Sequence, residues 1–94
     1  MSITRIGAGK RMSEAVIHGG KAYLAGFVAD KTVGKSVKKQ TADILAQIDA
    51  TLKQAGTDKT KILKANIWLT DIGKWAEMNE AWDAWVVPGQ TPAR

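Results

Sequence analysis

Ninety-four residues, 45% apolar and 24% charged, can build one globular core but not two, and no run approaches the ~18 apolar residues of a membrane span. The absence of cysteine excludes disulfides, thiolate metal sites and cysteine nucleophiles, and a single histidine, His18, argues against histidine metal sites and Ser-His-Asp triads. The net charge of +5 lies largely in Lys31, Lys35, Lys38, Lys39, Lys53, Lys59, Lys61 and Lys64, spread around one predicted helix and its flanks, which is the pattern of a solvated surface rather than a nucleic-acid groove.

Residues 3–6 are the first strand candidate, closed by Gly7-Ala8-Gly9. Ala15–His18 is the second, and Gly19-Gly20 is a two-residue hairpin signal. The third strand returns over residues 21–28, where Gly26 marks a bulge or a point of close approach to the backbone. Residues 30–34 form a loop.

From Ser36 the period changes. Val37, Thr41, Ile44, Leu45, Ile48, Leu52 and Ala55 recur every three or four residues, predicting an amphipathic helix with Ser36 as N-cap and Gly56 just past its end. Residues 61–70 alternate again, with Leu63, Ala65, Ile67 and Leu69 on one wholly apolar face, predicting a fourth strand. A second helix follows, N-capped by Asp71, with Trp75, Met78, Trp82, Trp85 and Val86 along one stripe and Pro88 ending it.

The sequence then runs Pro88-Gly89-Gln90-Thr91-Pro92-Ala93-Arg94. The prolines and glycine predict a stiff, extended loop, and the Arg94 guanidinium is a planar, permanently charged fork suited to a carboxylate or phosphate. The order β-β-β-α-β-α predicts an α+β fold, with two helices packed on one face of a mostly antiparallel sheet. The opposite face is left apolar and uncovered, so self-association is expected.

Several stretches resemble a known family. Arg11-Met12-Ser13-Glu14-Ala15-Val16 and Gly19-Gly20-Lys21-Ala22-Tyr23-Leu24-Ala25-Gly26 are similar to the N-terminal strands of the RidA/YjgF family, also described as endoribonuclease L-PSP. Ala55-Gly56-Thr57-Asp58, Ile67-Trp68-Leu69-Thr70-Asp71, Met78-Asn79 with Trp82, and Pro92-Ala93-Arg94 resemble its later elements in the same order. The Arg-Met-Ser start and Trp-Asp-Ala-Trp-Val-Val-Pro-Gly look closer to the YoaB-like branch than to the founding deaminases.

The resemblance implies a chorismate-mutase-like fold and a barrel-like homotrimer with clefts between subunits. It implies hydrolysis of enamine/imine intermediates, released by pyridoxal-phosphate enzymes, to 2-oxo acids and ammonia. It assigns the substrate carboxylate to Arg94. Family members continue for two strands beyond Pro-Ala-Arg, one bearing an acidic site residue. Residues 1–94 are therefore expected to form a single RidA-like domain that lacks its C-terminal strands.

The candidate site comprises Arg94 as carboxylate clamp and catalytic residue, with Gly26, Ala25, Phe27, Met12 and Asn79 around the substrate. Gly26 would let a ligand lie against the backbone, and Asn79 would orient a loop or a water. Met12 stands where the founding deaminases have tyrosine, Ala25 where many have serine and Phe27 where glutamine is frequent, so the pocket is expected to be less polar than theirs. His18 is read as a surface residue and the tryptophan stripe as core or subunit contact. Imine hydrolysis needs little beyond an anchored substrate and a positioned water. The competing readings are a non-catalytic homotrimer that binds a small carboxylate or acts as a regulator, and RNA binding or ribonuclease activity, which only the charge supports. No cofactor, metal or membrane partner is expected. Met1-Ser2-Ile3-Thr4-Arg5 lacks the apolar stretch of a secretory signal, and a cytoplasmic location is expected.

Overall fold

A computed structural model describes residues 2–94 and begins with an antiparallel meander, β1 (Thr4–Ile6), β2 (Ala15–His18) and β3 (Lys21–Leu24), in that spatial order. Gly19 and Gly20 have φ of 61° and 77°, and His18 pairs with Lys21 across them. Positive φ at both central positions defines a type I′ turn, whose twist matches that of the strands it joins, and glycine adopts it at no steric cost. The register pairs Thr4 with Ile17, Ile6 with Ala15 and Val16 with Tyr23. Parity therefore puts Ala15, Ile17, Ala22 and Leu24 on one face, where Ala15 is 1% exposed, and Val16 and Tyr23 on the other.

The third strand is shorter than the predicted 21–28. Its ladder ends at Leu24 opposite Ala15, with one further bond from the Ala25 N–H to the Glu14 carbonyl at 2.9 Å, because β2 offers no partner beyond that point. Gly26 lies past the strand, and a Cβ placed on it would meet nothing within 4 Å. Within the chain itself nothing packs against Gly26.

Helix α1 (Val37–Gln54) starts where expected, with Ser36 Oγ accepting the Lys39 N–H at 3.2 Å. It ends in a Schellman motif: the Gly56 N–H reaches the Lys53 carbonyl at 3.1 Å and the Thr57 N–H the Leu52 carbonyl at 3.0 Å. Within α1, one Asp43 oxygen accepts the N–H groups of Asp30, Lys31 and Thr32 and the Thr32 hydroxyl, at 2.8–3.2 Å. The Asp30 N–H foremost, with Gln47 and Thr32 outweighing desolvation, holds this carboxyl at a pKa of about 2, below its ordinary 3.8. The loop after β3 is thus latched to the helix through the Asp43 carboxylate, with Gln47 Nε2 adding a bond to the Val28 carbonyl at 2.9 Å.

The alternating segment 61–70 pairs at one point only, a parallel bridge between Lys64 and Ala93, and is not a hydrogen-bonded strand. Alternation specifies which side chains face the core, but a ladder also needs a neighbouring backbone. Among the described residues that neighbour is the short run ending in Arg94. Ala65 and Leu69 still pack into the core as the pattern predicts, whereas Leu63 is exposed.

Asp71 caps a 3-10 turn, Ile72–Lys74, by accepting the Gly73 N–H at 2.9 Å. Helix α2 (Trp75–Trp85) follows directly. The two helices pack side by side around Leu45, Met78 and Trp82, with Val37, Ile48, Ala65, Leu69, Trp85 and Val86 at the margin. Trp85 Nε1 donates to Asp49 at 2.9 Å and Lys38 pairs with Glu80 at 3.3 Å, tying the helices together at two levels. Trp75 departs from the predicted stripe and is 56% exposed, because the core ends one turn further along α2.

The molecule measures 43 × 35 × 19 Å. Among the described residues the smallest dimension fits one helix layer on one sheet layer, since helices are ~10 Å across and packed layers lie ~10 Å apart. The Tyr23 face of the sheet is accordingly open to solvent, with Tyr23 58% exposed.

Candidate functional site

Val87-Pro88-Gly89-Gln90 turns the chain back from α2. The Gln90 N–H bonds the Val87 carbonyl at 3.0 Å, and Gly89 has φ 84°. Proline followed by a positive-φ glycine is the signature of a type II turn. The returning chain then joins segment 63–65 through two bonds, Ala65 N–H to the Ala93 carbonyl at 2.8 Å and Ala93 N–H to the Leu63 carbonyl at 3.0 Å. These fix the backbone beside Arg94, so that its side chain reaches across to α2.

There Arg94 Nη1 donates to Asn79 Oδ1 at 2.7 Å and lies 4.0 Å from Met78 Sδ. Its guanidinium carbon is 5.4 Å from the centre of the buried Trp82 ring, a cation–π arrangement. Among the described residues no carboxylate lies within ion-pair distance of it; the two ion pairs found are Lys38–Glu80 and Lys74–Glu77. Among the described residues, neutral groups therefore hold the guanidinium, and none of them supplies a compensating charge. The contacts to Asn79 and Met78 are both made by Nη1, and a guanidinium offers further N–H donors on its Nε–Nη2 edge, the geometry for a bidentate carboxylate.

Arg94 and Asn79 border a cavity of about 360 Å³. Asn66 is its third polar side chain, and the wall is otherwise apolar: Ile67, Trp68, Leu69, Ile72, Trp75 and Met78. No histidine or carboxylate lines it. Of the residues expected at the site, Arg94 and Asn79 come together here. Met12, Ala25, Gly26 and Phe27 do not line this cavity; they lie on the loop before β2 and just after β3. Among the described residues no group of three or more His, Cys, Asp or Glu could hold a metal ion.

The lining also includes residues not expected at the site, among them Asn66, Trp68, Ile72 and Trp75. Trp75 and Asn79 are four residues apart on α2 and so share a helix face, and Trp82 follows Asn79 by three. That spacing carries the signal, but it fits a single core stripe of tryptophans equally well. Alternation puts Trp68 on the mixed face of a strand, and nothing local to the sequence indicates that α2 stops short of covering it.

Comparison with known proteins matches residues 2–94 to the family described as Endoribonuclease L-PSP. The RutC family protein YoaB of Escherichia coli is 46% identical over 94 residues, covering 100% of this chain and 81% of that protein. A YjgF-family protein of Neisseria meningitidis superposes with a TM-score of 0.95 at 49% identity, over 100% of this chain and 77% of the other. RidA from an Antarctic Psychrobacter gives a TM-score of 0.82 at 27% identity, over 93% and 73% of the two chains.

Proposed function

The chain belongs to the Endoribonuclease L-PSP family, the RidA/YjgF/RutC group, and from that premise we propose that it deaminates reactive 2-imino acids by hydrolysis. The observation that carries this reading is the Arg94 guanidinium, held by Asn79, Met78 and Trp82 yet paired with no carboxylate, at the rim of an apolar cavity. A substrate carboxylate takes two parallel N–H···O bonds from the Nε–Nη2 edge, which fixes both its charge and its plane. Water adds to the imine carbon, the carbinolamine expels ammonia, and the 2-oxo acid leaves; no oxidant or reductant is involved. The carbon is already electrophilic, so positioning supplies most of what the step needs.

The protein acts as a homotrimer with the cavity at or near a subunit boundary, in the cytoplasm. The open sheet face and the 19 Å slab support self-association. Ammonia and 2-oxo acid released from freshly generated imino acid provide the assay. Arg94→Ala is expected to abolish the enhancement over buffer, and equal rates for variant and wild type would sink the proposal.

The lining favours one second reading. With only Arg94, Asn79 and Asn66 as polar side chains, the cavity has few groups that handle protons, as suits a homotrimer that binds a small carboxylate as a regulator. Calorimetric binding without turnover of any imino acid would select it. Ribonuclease chemistry finds less support, since the lining offers no acid–base pair for phosphodiester cleavage.

A further inference from the structure

The apolar wall of the Arg94 cavity is larger than a small acid requires. The cavity of about 360 Å³ exceeds the volume of a three-carbon 2-imino acid, which has six non-hydrogen atoms. The remaining volume lies against large side chains left in water: Trp68 is 84% exposed, Ile72 76% and Trp75 56%. Isolated exposed apolar residues are ordinary, but three clustered around one cavity beside a single uncompensated cation make a composite site.

Charge narrows the ligand further. Arg94 is the only charged residue in the lining, and the nearby Lys74 is paired with Glu77 at 3.6 Å. The lining itself therefore matches one carboxylate; Lys64, bridged to Ala93 beside Arg94, lies outside it.

Resting on the carboxylate reading of Arg94, we infer that this cavity selects 2-imino and 2-oxo monocarboxylates with an aromatic or large branched side chain. The carboxylate sits on Arg94 and the side chain lies between Trp68 and Trp75. Flat, rigid indole faces bury area at little entropic cost and favour offset or edge-on contact with a second ring.

The stable 2-oxo acids serve as probes, with dissociation constants read by NMR titration. Phenylpyruvate is expected to bind at least about tenfold more tightly than pyruvate, the gain for burying most of one large apolar group. 2-Oxoglutarate is expected to gain nothing over pyruvate. Trp68→Ala and Trp75→Ala remove exposed side chains, so the fold should survive; each should cost phenylpyruvate more affinity than pyruvate and so shrink the advantage. Arg94→Ala should weaken both acids alike. Arg94-dependent binding with equal affinity for phenylpyruvate and pyruvate would overturn the side-chain preference alone. If neither acid binds, the carboxylate reading falls and takes this inference with it. An advantage that survives both tryptophan substitutions, with Trp68→Ala instead lowering the sedimentation coefficient, would assign the wall to a subunit contact and overturn the inference.

Discussion

Replacing Asn79 tests whether the site depends on a guanidinium held by a neutral partner. In the native arrangement the amide oxygen accepts from Arg94 Nη1 at 2.7 Å without reducing its charge. Asn79→Ala removes the bond and leaves the charge. A hydrogen bond to a charged group contributes about 1.5–3 kcal/mol, and Arg94 is exposed, so roughly 1 kcal/mol of positioning is lost, about fivefold in carboxylate affinity. Asn79→Asp keeps the oxygen and adds a negative charge at ion-pair distance. That charge competes for the guanidinium and repels the incoming carboxylate, with unit charges about 4 Å apart interacting by ~1 kcal/mol in bulk water and ~4 kcal/mol at an effective dielectric of 20. For an exposed pair the lower end applies, so the total loss is about 1–2 kcal/mol, roughly 5- to 30-fold. The expected affinity order is therefore wild type, then Asn79→Ala, then Asn79→Asp. Calorimetric titration with 2-oxobutanoate at low and high salt measures it, and the Asn79→Asp deficit should narrow as salt screens exposed charges. Asn79→Asp binding as tightly as wild type at low salt, or a deficit indifferent to salt, would refute the argument.

Other outcomes follow from the fold. Asp43 has a folded pKa of about 2 against 3.8 when unfolded, so its stabilising contribution is complete above pH ~4 and lost as pH falls toward 2; urea midpoints across that window should drop more steeply for wild type than for Asp43→Asn. Leu45→Ala empties the centre of the Leu45–Met78–Trp82 cluster and should cost about 3 kcal/mol in denaturant unfolding, within the usual 2–5 kcal/mol for such truncations. Gly26→Ala should change the unfolding midpoint negligibly, because its backbone does not require positive φ and the added methyl meets open space.

The local sequence carried everything that depends on near neighbours. Gly19-Gly20 dictates its turn through the φ values only glycine adopts freely, and Ser36 and Gly56 bound α1 by offering or freeing specific backbone hydrogen bonds. The three- and four-residue spacing of Leu45 and Ile48, then of Met78 and Trp82, determines which helix faces meet. Arg94 and Asn79 could be named as site residues from the family resemblance, without any distance between them.

Only the tertiary structure decided the rest, because it depends on contacts between distant segments. Alternation over 61–70 orients Ala65 and Leu69 inward, but whether the segment forms a ladder depends on which backbone arrives beside it, and that is settled by a type II turn more than twenty residues later. Likewise Trp75 and Trp82 lie on one predicted stripe, yet the core reaches only the second, leaving the first to line a cavity. Composition supplied Arg94 as a cation. That neutral groups hold it, with its charge unspent, is a property of how α2 and the returning chain meet.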